Sequence, residues 1–380
     1  MQQPVSTNGP RPLRLLHTSD WQLGLRLNFV GGDAAVRLRT QRFDTVRRIG
    51  ALARERHVDV VLVAGDVFDD NGVGADTLQQ ARDALEAFGD LPVVLLPGNH
   101  DPATAVSALQ RLGPRENVRV AAAREPLLIP GGPASTGTST AEVFPCPLLS
   151  RHHYDDPAAW LPARNDEGGV RVAVAHGGAL TFGESTETPN RIDVDAILGR
   201  GYDYVALGDW HGLYQVGPRA WYCGAPEATR FKEKSPGHVL IVEIDGPGAV
   251  PRVEAVPVAR TRWPSETLEL ADDAALGSLA AWLEALDEKS WTLLELSLTG
   301  QLSLEARARL DVLLEEYSGR LAHLRVDADG LSVAPTEQDL ETLRGEGYLG
   351  RAIGRLRESD DRVDGDALRL LYRLIREETV

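Results

Sequence analysis

The apolar positions of this chain fall into short runs that stop abruptly at polar clusters flanked by glycine. Residues 13–16 end at His17-Thr18-Ser19-Asp20-Trp21-Gln22, and residues 58–64 end at Gly65-Asp66-Val67-Phe68-Asp69-Asp70. Residues 93–96 halt at Pro97-Gly98-Asn99-His100-Asp101, residues 170–175 at His176-Gly177-Gly178, and residues 202–207 at Gly208-Asp209-Trp210-His211-Gly212. Runs of this length bounded by Gly and Pro predict buried strands. In open α/β sheets, ligands bind beyond the carboxyl ends of strands, so the repeated pattern predicts that these ends converge on one site.

Between the runs the period changes. Residues 37–56 place Leu38, Phe43, Val46, Ile49 and Leu52 at helical spacing among arginines, which predicts an amphipathic helix whose basic face meets solvent or DNA. Residues 76–88 predict a helix joining two strands in a right-handed βαβ unit. Short helices are expected at 107–112, 154–161 and 193–198, and short strands at 118–120 and 126–129. Residues 143–147 read as an edge strand, since prolines cannot donate to a ladder. Strands are expected at 221–227 and 238–244. The polar stretches 131–141, 162–169 and 178–191 read as loops, the last placed to contact substrate.

Past residues 257–264 the pattern reads β-α-β-α-β, with strands at 267–270, 291–298 and 321–326 and helices at 276–286 and 304–317. The expected division is a disordered leader at 1–12, a catalytic domain at 13–256, a small α+β domain at 257–335 and a helical tail at 336–380 with helices at 337–343 and 366–378.

Composition narrows the class without deciding it. With 380 residues, 43% apolar and 25% charged, the chain can bury a full α/β core plus one small domain. No apolar run reaches the roughly 20 residues that span a bilayer, and the start has no signal-peptide pattern, so a cytoplasmic protein is expected. Cys146 and Cys223 lie far apart and outside any zinc spacing, which reads as two reduced structural thiols. A formal net charge of −16 argues against nonspecific coating of nucleic acid. It leaves room for an enzyme whose bound cations invert the local field.

The candidate ligands are Asp20, Gln22, Asp66, Asn99, His176, Asp209 and His211. Carboxylate, amide and imidazole donors without a thiolate suit hard or borderline cations such as Mn2+ or Mg2+, and the set is too large for one tetrahedral ion. Two cations about 3.5–4 Å apart, bridged by Asp66, fit the list. Arg230, Lys232 and Lys234, interleaved with Phe231, read either as phosphate contacts or as a solvated turn. Trp210 reads as closing the core or stacking on a base, His17 as structural, and His152-His153 as a surface pair.

Taken in order, the Asp20, Gly65-Asp66, Gly98-Asn99-His100-Asp101, His176-Gly177 and Gly208-to-His211 motifs resemble the binuclear metallophosphoesterase superfamily. Within it, residues 17–24, 65–69 and 97–101 resemble SbcD-like DNA repair nucleases, as does Pro226-Glu227. The resemblance implies a two-sheet α/β (α+β) sandwich flanked by helices with a small α+β cap domain. It implies that Asp20, Gln22, Asp66 and His211 hold one metal and Asp66, Asn99, His176 and Asp209 the other, with Mn2+ the expected ion. His100 would be the general acid or phosphate-contacting group, with Asn99 beside it in substrate binding and Asp101 orienting its ring. Gln22 and Asp209 stand where the family usually has histidines, which makes the donor set harder and points to stand-alone endonucleases of single-stranded DNA. The implied function is Mn2+-dependent hydrolysis of phosphodiester bonds in single-stranded DNA or DNA ends during repair. Alternatives are a phosphatase or phosphodiesterase of small esters, or a non-catalytic subunit docking on an SbcC-like ATPase through 366–378. A homodimer stays open and no membrane partner is expected.

Overall fold

The computed structural model describes residues 12–129, 141–165, 169–180, 188–333 and 354–356, with Ala367 and Leu370. Of the expected segments, residues 1–11 of the leader, 131–140, 166–168 and 181–187 of the three loops, the C-terminal helix at 337–343 and, apart from Ala367 and Leu370, that at 366–378 lie outside the described residues. The chain divides into two compact units, 1–260 and 261–380.

In the first unit the elements are β1 (Leu13–Thr18), α1 (Gly32–Glu55), β2 (Val60–Val63), α2 (Ala75–Leu85), β3 (Val93–Leu95), α3 (Ala108–Arg111), β4 (Val118–Val120) and β5 (Leu127–Ile129). They continue with β6 (Ala141–Cys146), β7 (Arg171–His176), β8 (Gly178–Ala179), β9 (Arg191–Ile192), α4 (Val194–Gly199), β10 (Tyr204–Gly208), β11 (Tyr214–Gly217), β12 (Ala220–Tyr222), β13 (His238–Ile244) and β14 (Arg252–Pro257). Two six-stranded sheets result, in the orders β14-β13-β1-β2-β3-β4 and β11-β12-β10-β7-β6-β5.

The strands read as uniformly apolar because both their faces are covered. In β1 and β2, Leu15, Val60 and Leu62 pack between the sheets with Val172, Val174, Tyr204 and Ala206. Their neighbours Leu16, Val61 and Val63 face the other way, onto Phe43, Val46 and Ile49 of α1. Ala173, Ala175, Val205 and Leu207 alternate likewise, packing with Val194 and Ile197 of α4. This layering of helix, sheet, sheet and helix is the sandwich expected from the sequence. β1, β2 and β3 run parallel, as do β7 and β10, so their carboxyl ends emerge together.

Several local expectations are corrected. Residues 143–147 were expected at an edge, yet β6 lies between β7 and β5. Glu142 N donates to Val170 O on the β7 side, so the imide of Pro145 faces the opposite side, where pairing with β5 has already ended at Val143. The proline therefore breaks no ladder bond. Residues 154–161 form turns instead of a helix. There the guanidinium of Arg200 takes the carbonyls of Ala158, Ala159 and Leu161 at 3.0, 3.3 and 3.1 Å, in place of helical N–H donors. The strand expected at 221–227 is confined to β12, and α1 begins five residues before its apolar periodicity. Both cysteines are buried and unpaired.

The second unit is a parallel sheet of β15 (Ser265–Leu270), β16 (Leu293–Leu302) and β17 (His323–Val333), with α5 (Ala275–Ala285) and α6 (Leu304–Arg320) in the crossovers. Leu276, Leu279 and Leu283 pack with Leu294, Leu296 and Leu310 in its core. Ser303 caps α6 by accepting from Ala306 N at 3.0 Å. No helix among the described residues is long and apolar enough to cross a membrane.

Candidate metal centre

The chain leaves β1 and β2 through backbone conformations that side chains seldom adopt. Asp20, Gln22 and Asp66 have φ of 53°, 50° and 54°, and Asp209, after β10, has φ 94°. Non-glycine residues in the left-handed region carry strain and cluster at functional sites. The two loops are laced together, with Asp20 N donating to Gly65 O at 3.0 Å, Gln22 N to Asp66 O at 3.0 Å and Leu23 N to Val67 O at 2.9 Å. Gly65 is required on two counts: its φ is +93°, and a Cβ there would stand 2.1 Å from Nδ1 of His176. The second sheet thus delivers His176 directly against the first.

Asp66 is the centre of the site. Gln22 Nε2 donates to its Oδ2 at 2.9 Å, His100 N donates to its Oδ1 at 2.9 Å, and His176 Nε2 lies 3.4 Å from Oδ1. One ligand atom each from Asp20, Asp66 and His176 falls within a 4.8 Å cluster. Asp209 N reaches Asp20 Oδ2 at 3.2 Å, and its own carboxylate is 3.7 Å from His176 Nε2. His211 Nε2 is 3.7 Å from Asp20 Oδ1. The Asn99 amide sits 2.9 Å from His176 Nε2. All seven candidates therefore meet at one rim.

Both imidazoles are turned so that Nε2 faces the carboxylates. His176 Nδ1 donates to Ala64 O at 2.7 Å, and His211 Nδ1 donates to Glu233 Oε1 at 2.6 Å. A histidine whose far nitrogen is engaged this way is set up as a metal ligand. Burial drives the Asp20 and Asp209 carboxyls above their usual range, only partly offset by the neighbouring imidazoles. For Asp66 burial is outweighed by His176 and His100, which hold it below that range, and for His176 it is outweighed by Asp66, which holds the imidazole well above its usual value. Asp101 is pushed up to about 7 by burial and then by the charge of Asp66. Buried carboxylates this close to one another call for a compensating cation, and oxygen-rich donors with two oriented imidazoles fit a divalent ion.

The model of the calcineurin-like phosphoesterases matches residues 13–242, the stretch that holds the whole second sheet, the first sheet up to β13 and every candidate ligand. The chain belongs to the calcineurin-like phosphoesterase family. It is a hydrolase of phosphoester bonds, phosphodiesters included. It is similar to the SbcD component of the nuclease SbcCD of Bacillus subtilis (strain 168), 27% identical over 341 residues, which cover 78% of this chain and 82% of that protein. Similarity to the corresponding SbcCD component of Rhodobacter capsulatus is 29% over 366 residues, covering 83% and 87%. For the corresponding component of Escherichia coli (strain K12) it is 24% over 373 residues, covering 87% and 89%.

In this phosphoesterase His100 stands at the rim with a side chain 30% exposed, and its Nε2 is 4.0 Å from Asp66 Oδ2. Its Nδ1 donates to Asp69 O at 2.8 Å. The expectation that Asp101 orients the ring is corrected: Asp101 accepts from Gly98 N at 2.8 Å and Phe68 N at 3.0 Å, holding two motif loops together. A backbone carbonyl does the orienting instead. Trp210 is corrected as well, since at 44% exposure it does not close the core. Arg230, Lys232 and Lys234 are exposed on the loop that follows Thr229, and His152 is exposed in its own loop. His17 is buried between Tyr204 and Leu207, as a structural residue should be.

Sequence reasoning missed the supports of the phosphoesterase site. Arg42, assigned to a solvated helix face, is buried and donates to Trp21 O, Glu227 O and Ala228 O, tying the Gln22 loop to the chain after β12. Glu227 accepts from Thr45 Oγ1 at 2.6 Å and Arg260 N at 2.9 Å. The one hint was Pro226-Glu227, noted as a motif without a partner. Glu233 had no local signal, because it sits between two exposed lysines.

Proposed function

We propose that this chain is a Mn2+-dependent nuclease that hydrolyses phosphodiester bonds in DNA through two bound cations, acting on single strands or ends during repair. The observation that carries the reading is the placement of Asp66, touched by Gln22 and His100 from its own sheet and by His176 from the other. A carboxylate so placed is suited to be shared by two ions.

Asp20, Gln22, Asp66 and His211 would hold one ion and Asp66, Asn99, His176 and Asp209 the other. Bound divalent cations supply Lewis-acid charge to a phosphate and lower the pKa of water. The chain's own part is positional. Asn99 and His100 flank Asp66 and are placed to contact the phosphate. With Nδ1 of His100 held on Asp69 O, its Nε2 is directed to the open rim, where it can give a proton to a leaving oxygen. Arg230, whose Nε lies 3.6 Å from the Glu233 carboxylate that His211 contacts, and Lys232, exposed on the same loop, would follow a polyanion away from the site.

The similar proteins are each one component of a nuclease of more than one chain, which supports a partner chain here. An SbcC-like ATPase docking through 366–378, outside the described residues, is the partner proposed. The unbonded buried thiols accord with action in the cytoplasm.

The test incubates wild type and His100→Ala with end-labelled single- and double-stranded DNA under Mn2+, Mg2+ or chelator. Single strands should be cut with Mn2+, spared with chelator, and cut about 10²–10⁴-fold more slowly by the variant. DNA left intact under every metal while bis(p-nitrophenyl) phosphate is hydrolysed would instead establish a small-ester phosphodiesterase.

A further inference from the structure

His176 and His211 both turn Nε2 toward carboxylates, yet they are held differently. Behind His176 stands a neutral dipole, the carbonyl of Ala64 at 2.7 Å. Behind His211 stands a carboxylate, Glu233 Oε1 at 2.6 Å from Nδ1, with a side chain only 3% exposed. That carboxylate is itself fixed: Oε2 accepts from Thr229 N at 2.9 Å, and Oε1 also accepts the Thr229 hydroxyl. The hydroxyl has thereby committed its proton to Glu233, so both neighbours of Nδ1 are acceptors toward it. A ring proton must therefore sit on Nδ1, which leaves Nε2 as the nitrogen turned toward Asp20, 3.7 Å away.

We infer that Glu233 is the positioning residue of the His211 cation site, fixing the tautomer and orientation of His211 and lending it negative charge that His176 does not receive. The inference rests on reading the centre as a cation pair. A carboxylate this buried is costly unless it is paired, and its partners here are His211, Thr229 and, at 3.6 Å, the Arg230 Nε. An outer carboxylate makes a ligating imidazole more basic, and removing such a partner typically weakens metal binding about 10–100-fold. The ion held by Asp20, Gln22 and His211 should depend on Glu233, and the ion held by His176, Asn99 and Asp209 should not.

The test is a Mn2+ titration of the full chain, followed by the electron paramagnetic resonance signal of unbound Mn2+. It compares wild type, Glu233→Gln, His211→Ala and the double variant. Glu233→Gln, which keeps the shape and removes the charge, should weaken one of two ions about 10–100-fold and leave the other unchanged. The double variant should match His211→Ala, because without the imidazole Glu233 has nothing to orient. Two ions bound by Glu233→Gln with wild-type affinity would overturn the inference, and so would a further loss when it is added to His211→Ala. Should circular dichroism show that Glu233→Gln does not fold, Glu233→Asp replaces it, as one methylene less takes the carboxylate out of reach of Nδ1. The same selective loss is then expected, and wild-type affinity overturns the inference. A wild type that takes up no Mn2+ strikes the cation-pair reading itself, whereas two ions in wild type and an indifferent Glu233→Gln strike this inference alone.

Discussion

A Cβ placed on Gly98 would stand 2.2 Å from Oδ1 of Asp66 and 2.5 Å from its backbone nitrogen. Two motif loops from adjacent parallel strands therefore touch at a point where only hydrogen fits. The nearer atom is the carboxylate at the centre of the site, and the other is main chain that cannot swing aside. Gly98→Ala should push Asp66 away from His176 and Gln22. Mn2+ affinity and phosphodiester hydrolysis should each fall by at least about tenfold, the loss seen when a ligand's support is disturbed. Isothermal titration with Mn2+ checks the first and bis(p-nitrophenyl) phosphate turnover the second. Unaltered values for both would mean that the loops are looser than this contact requires.

His100 and Asp101 are neighbours with opposite duties. His100→Gln should leave the unfolding free energy within about 1 kcal/mol of wild type, because the ring is partly exposed and its one hydrogen bond is to a carbonyl at the rim. Its effect should be on turnover. Asp101→Ala strands the N–H groups of Gly98 and Phe68 in a buried place, at about 1–3 kcal/mol each, so stability should fall by several kcal/mol. Urea unfolding of the metal-free proteins separates the two. Equal stability losses in both variants would restore Asp101 to a shared role with the ring.

The strand ends were legible in the sequence because a strand covered on both faces is apolar throughout, so the polar residue that ends it stands out. Asp20, Asp66, Asn99, His176 and Asp209, which the fold brings to one rim, all end strands in this way. What the sequence hid depends on partners that leave no local trace. The ring of His100 is held by the backbone of Asp69, and any residue supplies a carbonyl. Glu233 and Arg42 look like surface charges until the chain brings His211 and Glu227 to them. The proline of β6 reads as an edge signal unless one knows which of its sides β5 covers. Residues 154–161 carry their own breaker in Pro157, with Asp156 Oδ1 accepting from Ala158 N at 2.8 Å, and the guanidinium of Arg200, some forty residues on, then takes the carbonyls that a helix would have bonded.

His17 gives a pH dependence that is separate from the candidate ligands. It is buried and neutral, donating from Nε2 to Leu207 O at 3.1 Å and accepting from the Tyr204 hydroxyl at 3.0 Å. Burial lowers its pKa from 6.5 to about 3, against a smaller upward pull from the Leu207 carbonyl. The unfolded chain therefore takes up a proton that the folded chain refuses. Above pH 6.5 this makes no difference; as pH falls from 6.5 toward about 3 it removes stability at up to ~1.4 kcal/mol per pH unit. His17→Gln should be somewhat less stable at pH 7 and should lose less on going to pH 5. Urea unfolding at pH 7, 6 and 5 with chelator compares the slopes, since the site residues titrate alike in both proteins. Identical slopes would show that His17 is protonated or exposed in the fold.

The strongest linkage should be to the cations themselves. Donor atoms of Asp20, Asp66 and His176 lie within 4.8 Å of one another, and Asp20 and Asp66 are at most 1% exposed, so the metal-free protein confines like charges that a bound ion would relieve. An ion that binds only the folded state adds about 2.7 kcal/mol of stability at 100 times its Kd. Thermal unfolding should therefore move upward as Mn2+ is added and return with chelator. Asp66→Ala should lose that increment for both ions, because it removes the one carboxylate assigned to each, while Asp209→Ala should lose it for one. A two-step rise with Mn2+ that persists in Asp66→Ala would place the shared ligand elsewhere in the site.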